Sequence, residues 1–416
     1  MIQHFVGRKI EFRFLEEHYK SGMAEFVVLY GRRRVGKTEL IQKFLEGKRS
    51  LYFIGRTESK EDTLSRINLS ISKAFSDFSL VEKPLRNWDH IFEYLSEKLK
   101  NERMIIVFDE FPFIADKFPE ILSVLQDKWD SLLRKTGIFI ILCGSSIGMM
   151  EDRILSYKSP LYGRRTGQWK LLPLRFKAIR EFFPGYGIEE LVEVYGVLDS
   201  IPGYLVKFDD KISVIENIKK SVLSKGEFLY EEVEHLLREE FRDVSNYLSI
   251  ISSVAGGASS FNDIYTKTHL DKSLISKYLY TLEKLNIIKK MFPVTAGSKD
   301  MFKTKKGLYS VSDNFFRFWL AYVYQNKNSL ETGNLSEALE SIKKGFNSYL
   351  GFVFEDVCRQ FLEEAKPASF SRIGIWWHKN VEIDLIGLND RTKEILFCEC
   401  KWQDRVNPDK ILPELK

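Results

Sequence analysis

The sequence predicts an α/β protein of several modules: a parallel-sheet domain with a helical lid, a helical middle closed by a hairpin, and a small α/β domain at the end. Three observations predict it. The short run EFVVLY (25–30) passes through GRRRVGKT (31–38) into ELIQKFL, whose apolar spacing is helical. From about residue 172 the chain carries apolar residues at i, i+3 and i+4, as in IEELVEVYGVL and VIENIKKSVL. Near the end, EIDLIGLNDRTKEILFCECKW (382–402) places acids among apolar residues with the two-residue period of strands.

Length and composition set the outer bounds. At 416 residues the chain is too long for one typical core, and roughly two to four domains are expected. Hydrophobic residues at 44% supply cores and 29% charged residues argue against general disorder. No stretch reaches the ~18 uninterrupted apolar residues of a membrane span, so a cytoplasmic protein without a membrane partner is expected. The four cysteines (143, 358, 398, 400) are too few and too oddly spaced for a disulfide framework. Cys398 and Cys400 lack a second pair or a His cluster to complete a zinc site, and reduced, partly buried thiols are the expectation. Net charge is only +5, yet residues 271–306 hold nine Lys against three Asp or Glu.

The first element carries chemistry. Gly31-x4-Gly36-Lys37-Thr38 between a strand and a helix fits a phosphate-binding loop in the context that motif requires. Its glycines let successive backbone N–H groups turn toward a β-phosphate, the helix N-terminus adds its dipole, Lys37 bridges phosphates and Thr38 ligates Mg²⁺. Gly31, Arg32, Arg33, Arg34, Val35, Gly36, Lys37, Thr38 and Glu39 are therefore the candidate nucleotide-contacting residues, with ATP and Mg²⁺ as cofactors. A glycine turn with a chance Lys-Thr is the alternative. MIIVFDEF (104–111) supplies the acidic strand end such a loop needs. Asp109 would hold Mg²⁺ through water and Glu110 would polarise the attacking water; a buried strand with an acidic exit is the other reading. IFIILCGSS (138–146) ends in Ser145 and Ser146, either γ-phosphate or water contacts or simple capping serines.

With FVGRKIEF (5–12), GRRRVGKT, VFDEF, CGSSIG (143–148), LYGRRTG (161–167) and SIPGYL (200–205), the chain resembles the archaeal ATPase family within the AAA+/STAND class of P-loop ATPases. The resemblance implies a P-loop NTPase domain over residues 1–171 and a helical lid over 172–236. It places Phe5, Gly7 and Arg8 by the adenine. It also makes Arg164 or Arg165 an arginine finger or sensor toward the γ-phosphate, and a trans-acting arginine requires a homo-oligomer through this domain. Two solvated loop arginines are the alternative.

Residues 237–312 give helix, helix, helix and hairpin, the order of a winged helix. In the third helix Asp271 is the expected N-cap and Leu274, Tyr278, Leu282 and Leu285 the buried stripe. That leaves Lys272, Ser273, Ser276, Lys277 and Tyr280 toward solvent, a mixture suited to the major groove of double-stranded DNA. Lys289, Lys290, Lys303, Lys305 and Lys306 would flank the wing and neutralise phosphates; a packing module with a solvated lysine face is the alternative. DNFFRFWLAYVY (313–324) reads as a buried helix and QNKNSLETGNLSEA (325–338) as a linker, together a connector over 313–345.

In the last module, 346–416, the helix GFVFEDVCRQFLEE precedes strands IGIWWH, VEIDLIGL and EILFCECKW, and Glu355 is expected to point outward from the helix. Glu382 and Asp384 share one face of the second strand, Glu399 and Lys401 one face of the third. The pattern resembles the PD-(D/E)xK nuclease-like fold, whose positions fall here on Glu355, Asp384, Glu399 and Lys401. The resemblance implies that Asp384 and Glu399 hold Mg²⁺, that Glu355 completes the shell and that Lys401 orients the attacking water. The chain ends soon after the E-x-K strand, without the further strand usual in that fold. A solvated hairpin with charged faces, or a nuclease-like fold that no longer cuts, are the other readings.

Overall fold

A computed structural model describes residues 5–241, 243–297, 307–365, 370–379 and 381–411. They form two compact units, one of residues 5–174 and one of the described residues from 175 to 411.

The first unit is built on strands β1 (Glu25–Tyr30), β2 (Ser50–Ile54), β3 (Met104–Asp109), β4 (Ile138–Gly144) and β5 (Gly167–Lys170), all parallel in the order β2-β3-β4-β1-β5. Every residue of β1, β3 and β4 is buried, as expected of central parallel strands covered by helices on both faces, and this is why their sequences are unbroken apolar runs. The helices Lys9–Lys20 and Lys37–Leu45 cover one face through Leu15, Leu40, Ile41 and Phe44, which join Val27, Leu29, Ile105, Val107, Phe139 and Ile141 in one core. The register sets β1, β3 and β4 side by side, with Tyr30 opposite Gly144 and Phe108 opposite Leu142. The loops after these strands therefore emerge at the same edge, where open parallel sheets hold their ligands.

The second unit is helical first. Residues 172–183 are helical only over Phe176–Phe182, in two short pieces, and Pro202 begins a single helical turn, Pro202–Leu205. Helix Ile188–Leu198 crosses a 30-residue helix, Ser336–Ala365, at Gly196. A Cβ there would lie 3.0 Å from Leu350 and 3.2 Å from Tyr349, and the Tyr349 hydroxyl donates to the Gly196 carbonyl at 2.5 Å. The 325–338 segment is not an open linker: it holds the helix Lys327–Glu331 and the first turn of that long helix, which runs unbroken through 345. The aromatic stretch before it is buried as expected, with Phe315, Phe316, Phe318 and Trp319 at zero exposure and the Trp319 indole donating to the Tyr230 carbonyl.

Helices Val244–Ala255, Phe261–Thr268 and Lys272–Lys284 are followed by the antiparallel pair β6 (Ile288–Met291) and β7 (Leu308–Val311). The buried stripe of the third helix is Ile275, Tyr278, Leu279 and Leu282, continued by Leu285, whereas Leu274 is half-buried. The expected stripe was set one residue early at its start. Asp271 occupies the N-cap position but makes no side-chain cap. Lys303, Lys305 and Lys306 lie outside the described residues. The chain after β6 docks on the last module, Val294 N–H donating to the Ile375 carbonyl and Arg372 to the Val294 carbonyl.

That module is an antiparallel sheet of β8 (Arg372–His378), β9 (Val381–Leu388) and β10 (Ile395–Cys398), in the order β10-β9-β8. The third strand ends at Cys398, so Glu399 and Lys401 follow it instead of lying within it. Among the described residues no helix is long and apolar enough to cross a membrane.

Candidate nucleotide site and acidic cluster

The phosphate loop leaves β1 with Gly31 at φ 158 and closes on Gly36 at φ 89, the left-handed region that favours glycine. Gly31 has no room for a side chain, since a Cβ would meet the Leu171 carbonyl oxygen at 2.3 Å. Lys37, the first residue of its helix, is buried, and its ammonium donates to the carbonyls of Gly31 at 2.9 Å and Arg32 at 3.0 Å. Burial pulls its pKa down, while the thiol of Cys143 and the carboxylates of Glu110 and Asp109 act the other way. A phosphate at this loop would thus meet a desolvated cation held by neutral acceptors, which it can exchange for charged ones.

The next residue, Thr38, donates from its hydroxyl to Asp109 Oδ2 at 3.2 Å. Together they offer the hard oxygen donors that Mg²⁺ takes. Tyr52, on the neighbouring strand β2, also donates to Asp109 Oδ2, and burial together with that bond pushes the phenol pKa up. Glu110 sits one step further at φ 48, a left-handed conformation for a non-glycine residue. Its Oε2 accepts from the Ser145 hydroxyl at 2.8 Å and the Ser145 amide at 3.2 Å. Because Ser145 follows β4, beside β3, the sheet itself aims the carboxylate. Gly55, just after β2, completes the frame: its amide donates to the Asp109 carbonyl at 2.8 Å, and a Cβ would strike the Glu110 carbonyl oxygen at 2.3 Å. Sequence reasoning missed Tyr52 and Gly55, which become site residues only through the β2–β3 register, Ile54 opposite Asp109.

The leading segment acts on the loop from behind. Arg8 is buried and its guanidinium donates to the carbonyls of Val35 and Leu172, each at 2.7 Å, and to Glu11 at 2.8 Å. Its observed contacts thus hold the loop backbone. Phe5 packs half-buried on the core, against Phe12, and Gly7 is exposed. In the loop Val35 is buried, Arg32 and Arg33 are half-buried, and Arg34 and Glu39 are exposed. Arg164 forms a forked pair with Asp130, at 2.8 and 3.0 Å, whereas Arg165 lies over the Tyr162 ring and within the field of Tyr30.

The second unit gathers a cluster of acids. Glu355 is half-buried rather than outward-pointing, and burial with the nearby Asp384 and Glu382 raises its carboxyl to about 7. Lys289 and Arg317 act on the same group in the opposite direction. Burial and the neighbouring acids also raise Glu382 and Asp384. Asp384 Oδ2 accepts the Cys400 amide at 2.7 Å, and the Lys401 ammonium reaches Glu399 at 2.8 Å and Asp384 at 3.8 Å. Glu355, Asp384, Glu399 and Lys401 thus converge from one helix, the middle of β9 and the stretch just after β10, with Glu382 beside them. Mutual repulsion among these acids suits a cation. Even so, among the described residues no three His, Cys, Asp or Glu side chains form a group arranged to hold a metal.

On the three-helix module, Lys272, Ser273, Ser276, Lys277 and Tyr280 are all exposed on one helix, and Lys272 lies 4.8 Å from the centre of the Tyr265 ring.

Comparisons with known proteins agree with the first unit. Residues 5–208 match a family described as an ATPase domain predominantly from Archaea, and residues 319–411 match one of archaeal and bacterial proteins of unknown function. The uncharacterized protein MJECL04 of Methanocaldococcus jannaschii is 38% identical over 410 residues, 97% of this chain and 89% of that one. The uncharacterized ATP-binding protein MJ0423 of the same organism is 58% identical over 45 residues, 11% of this chain and 76% of that one. Among solved structures, the Walker-type ATPase paby2304 of Pyrococcus abyssi superposes with a TM-score of 0.56 at 23% identity, covering 76% of this chain and 96% of that one. With the phosphate loop, the Asp109–Glu110 pair and the parallel sheet in place, the chain belongs to the archaeal ATPase family and is an ATP-binding P-loop ATPase.

Proposed function

We propose that this ATPase uses Mg²⁺–ATP turnover to control how its second unit engages double-stranded DNA, with a winged helix as the binding element and the acidic cluster as a nuclease-like metal centre. The observation that carries the reading is the convergence of Glu355, Asp384, Glu399 and Lys401 in the same compact unit as the exposed face of Lys272, Ser273, Ser276, Lys277 and Tyr280. That face offers ammonium groups for phosphates and short polar side chains for base edges. In the nucleotide site, Thr38 and Asp109 would hold Mg²⁺, Glu110 would orient the attacking water, and Lys37 would draw charge from the phosphates. Arg165 is the candidate for a γ-phosphate arginine, and acting in trans it would require a homo-oligomer.

In the acidic cluster, Asp384 and Glu399 would hold a divalent cation, with Glu355 completing the shell. The cation would polarise a phosphodiester. Lys401, bonded to Glu399, would steady an attacking water or the charge developing on the phosphate. The test incubates the full chain with plasmid and short duplex DNA in Mg²⁺ or Mn²⁺, with and without ATP, beside Asp384→Ala and Lys401→Ala. Cleavage that both substitutions abolish supports the reading.

A second reading is favoured by the lack of a metal-holding group among the described residues. In it the last module is a catalytically silent platform and the protein a nucleotide-dependent binding switch. Intact ATP turnover with no cleavage, but with duplex affinity that falls steeply as salt rises, selects it. Loss of that salt dependence in Lys272→Glu/Lys277→Glu would locate the DNA contact; duplex binding unaltered by the pair would overturn the winged-helix assignment.

A further inference from the structure

Arg8 fastens three parts of the first unit that are far apart in sequence. It is the N-cap residue of the helix Lys9–Lys20, entered through Gly7 at φ 74, and it is buried. Its Nη2 donates to two carbonyls at 2.7 Å, that of Val35 in the phosphate loop and that of Leu172 just past β5, while Nη1 donates to Glu11 Oε1 at 2.8 Å. The Val35 carbonyl lies where the loop needs holding. Val35 stands between Arg34 at φ 70 and Gly36 at φ 89, and a non-glycine residue in the left-handed region persists only where its surroundings impose it. The same stretch past β5 also fixes the start of the loop, since the Leu171 carbonyl leaves no room for a Cβ on Gly31. Both ends of the loop are thus held against residues 171–172, one by contact and one through Arg8. Glu11 has no hydrogen bond to the loop. One helical turn brings it back beside Arg8, where its carboxylate, 14% exposed, aims the guanidinium.

We propose that Arg8 and Glu11 are positioning residues for ATP binding: Arg8 clamps the phosphate loop, through the Val35 carbonyl, in the shape that receives phosphates, and Glu11 acts only through Arg8. Arg8 thereby serves the phosphates by way of the loop backbone and does not read the base. Arginine suits the task because its planar fork holds three acceptors in fixed directions, which a lysine ammonium of the same charge does not. The clamp rests on ATP binding alone and needs neither DNA contact nor the acidic cluster.

The test compares the full chain with Arg8→Gln, Arg8→Lys, Glu11→Gln and the double variant Arg8→Gln/Glu11→Gln, each shown to be folded by thermal melting. Fluorescent-nucleotide titration reads ATP affinity, and hydrogen exchange of the loop amides, residues 31–36, is followed without nucleotide. Arg8→Gln should weaken ATP binding roughly 10-fold and speed loop exchange, and Glu11→Gln should do both to a lesser degree, roughly threefold in affinity. The double variant should be no weaker than Arg8→Gln, because Glu11 then has nothing to act through. Arg8→Lys should stay nearer to Arg8→Gln than to the parent. Weaker ATP binding with unchanged loop exchange would make Arg8 a contact of the nucleotide itself and overturn the clamp. Parent-like affinity in a folded Arg8→Gln chain, additive losses in the double variant, or full recovery in Arg8→Lys would overturn it equally. Should Arg8→Gln fail to fold, Glu11→Gln decides alone, parent-like exchange and affinity overturning the proposal.

Discussion

Replacing Lys37 with alanine removes the cation at the floor of the phosphate loop, and the size of the effect follows from its surroundings. In the nucleotide-free protein the ammonium already has two neutral acceptors, the Gly31 and Arg32 carbonyls at 2.9 and 3.0 Å. A phosphate replaces them with a charged acceptor. At ~4 Å and an effective dielectric of ~20, one unit of charge contributes about 4 kcal/mol. Giving up two neutral bonds costs about 1 kcal/mol in all once water and loop groups re-pair. The difference, about 3 kcal/mol, corresponds to a weakening of ATP binding by roughly 150-fold. Fluorescent-nucleotide titration measures it, with thermal melting to establish that the variant is folded. Glu110→Gln is the matched control: its amide keeps the shape and a hydrogen bond to Ser145, so ATP binding should stay within threefold while turnover falls by at least ~100-fold. A folded Lys37→Ala chain that binds ATP as tightly as the parent would refute the assignment of Lys37, and undiminished turnover in Glu110→Gln would refute that of the base.

Further outcomes follow from the same geometry. Gly55→Ala drives a methyl to 2.3 Å from the Glu110 carbonyl oxygen, backbone against side chain with little to yield; a loss of about 1–3 kcal/mol in urea unfolding and a drop in turnover beyond that in ATP affinity are expected. Tyr52→Phe removes one donor from buried Asp109 but leaves Thr38 and the Glu110 amide, so a milder loss of about 1–2 kcal/mol in the same assay is expected. The acidic cluster carries a pH signature. Glu355 is raised to about 7 in the folded chain, above its unfolded value near 4.5, so the folded state disfavours its ionised form. Stability is therefore lost as pH rises from about 4.5 to about 7. Glu355→Gln should match the parent's melting temperature near pH 4.5 and exceed it above pH 7; equal melting temperatures at both ends would exclude the cluster as drawn.

Some of this was written locally. The EFVVLY–GRRRVGKT–ELIQKFL order carried strand, loop and helix because a phosphate loop needs nothing from elsewhere in the chain: its glycines, its lysine and its helix N-terminus are contiguous. The unbroken apolar runs of β1, β3 and β4 likewise announced central parallel strands, since burial on both faces removes the alternation an exposed face would impose. The order of three helices and a hairpin was legible from apolar periodicity, although the stripe of the third helix began one residue late, at Ile275. Composition misled at 325–338, where polar residues suggested a linker; the segment holds the helix Lys327–Glu331 and the start of the long helix, which is held by tertiary packing at Ala338, Ile342 and Tyr349 that outweighs a polar exterior.

What only the tertiary structure decided is every relation between residues distant in sequence. Strand register chose Tyr52 as the partner of Asp109 and brought Gly55 against Glu110. The placement of Ser145 after β4 chose the direction of the Glu110 carboxylate. Helix-to-sheet packing turned Glu355 inward among Asp384 and Glu382. A motif can state which groups are present and which neighbours along the chain they have. Burial, repulsion between like charges and hydrogen-bond pairing depend on distance through space, and those quantities exist only once the elements have packed.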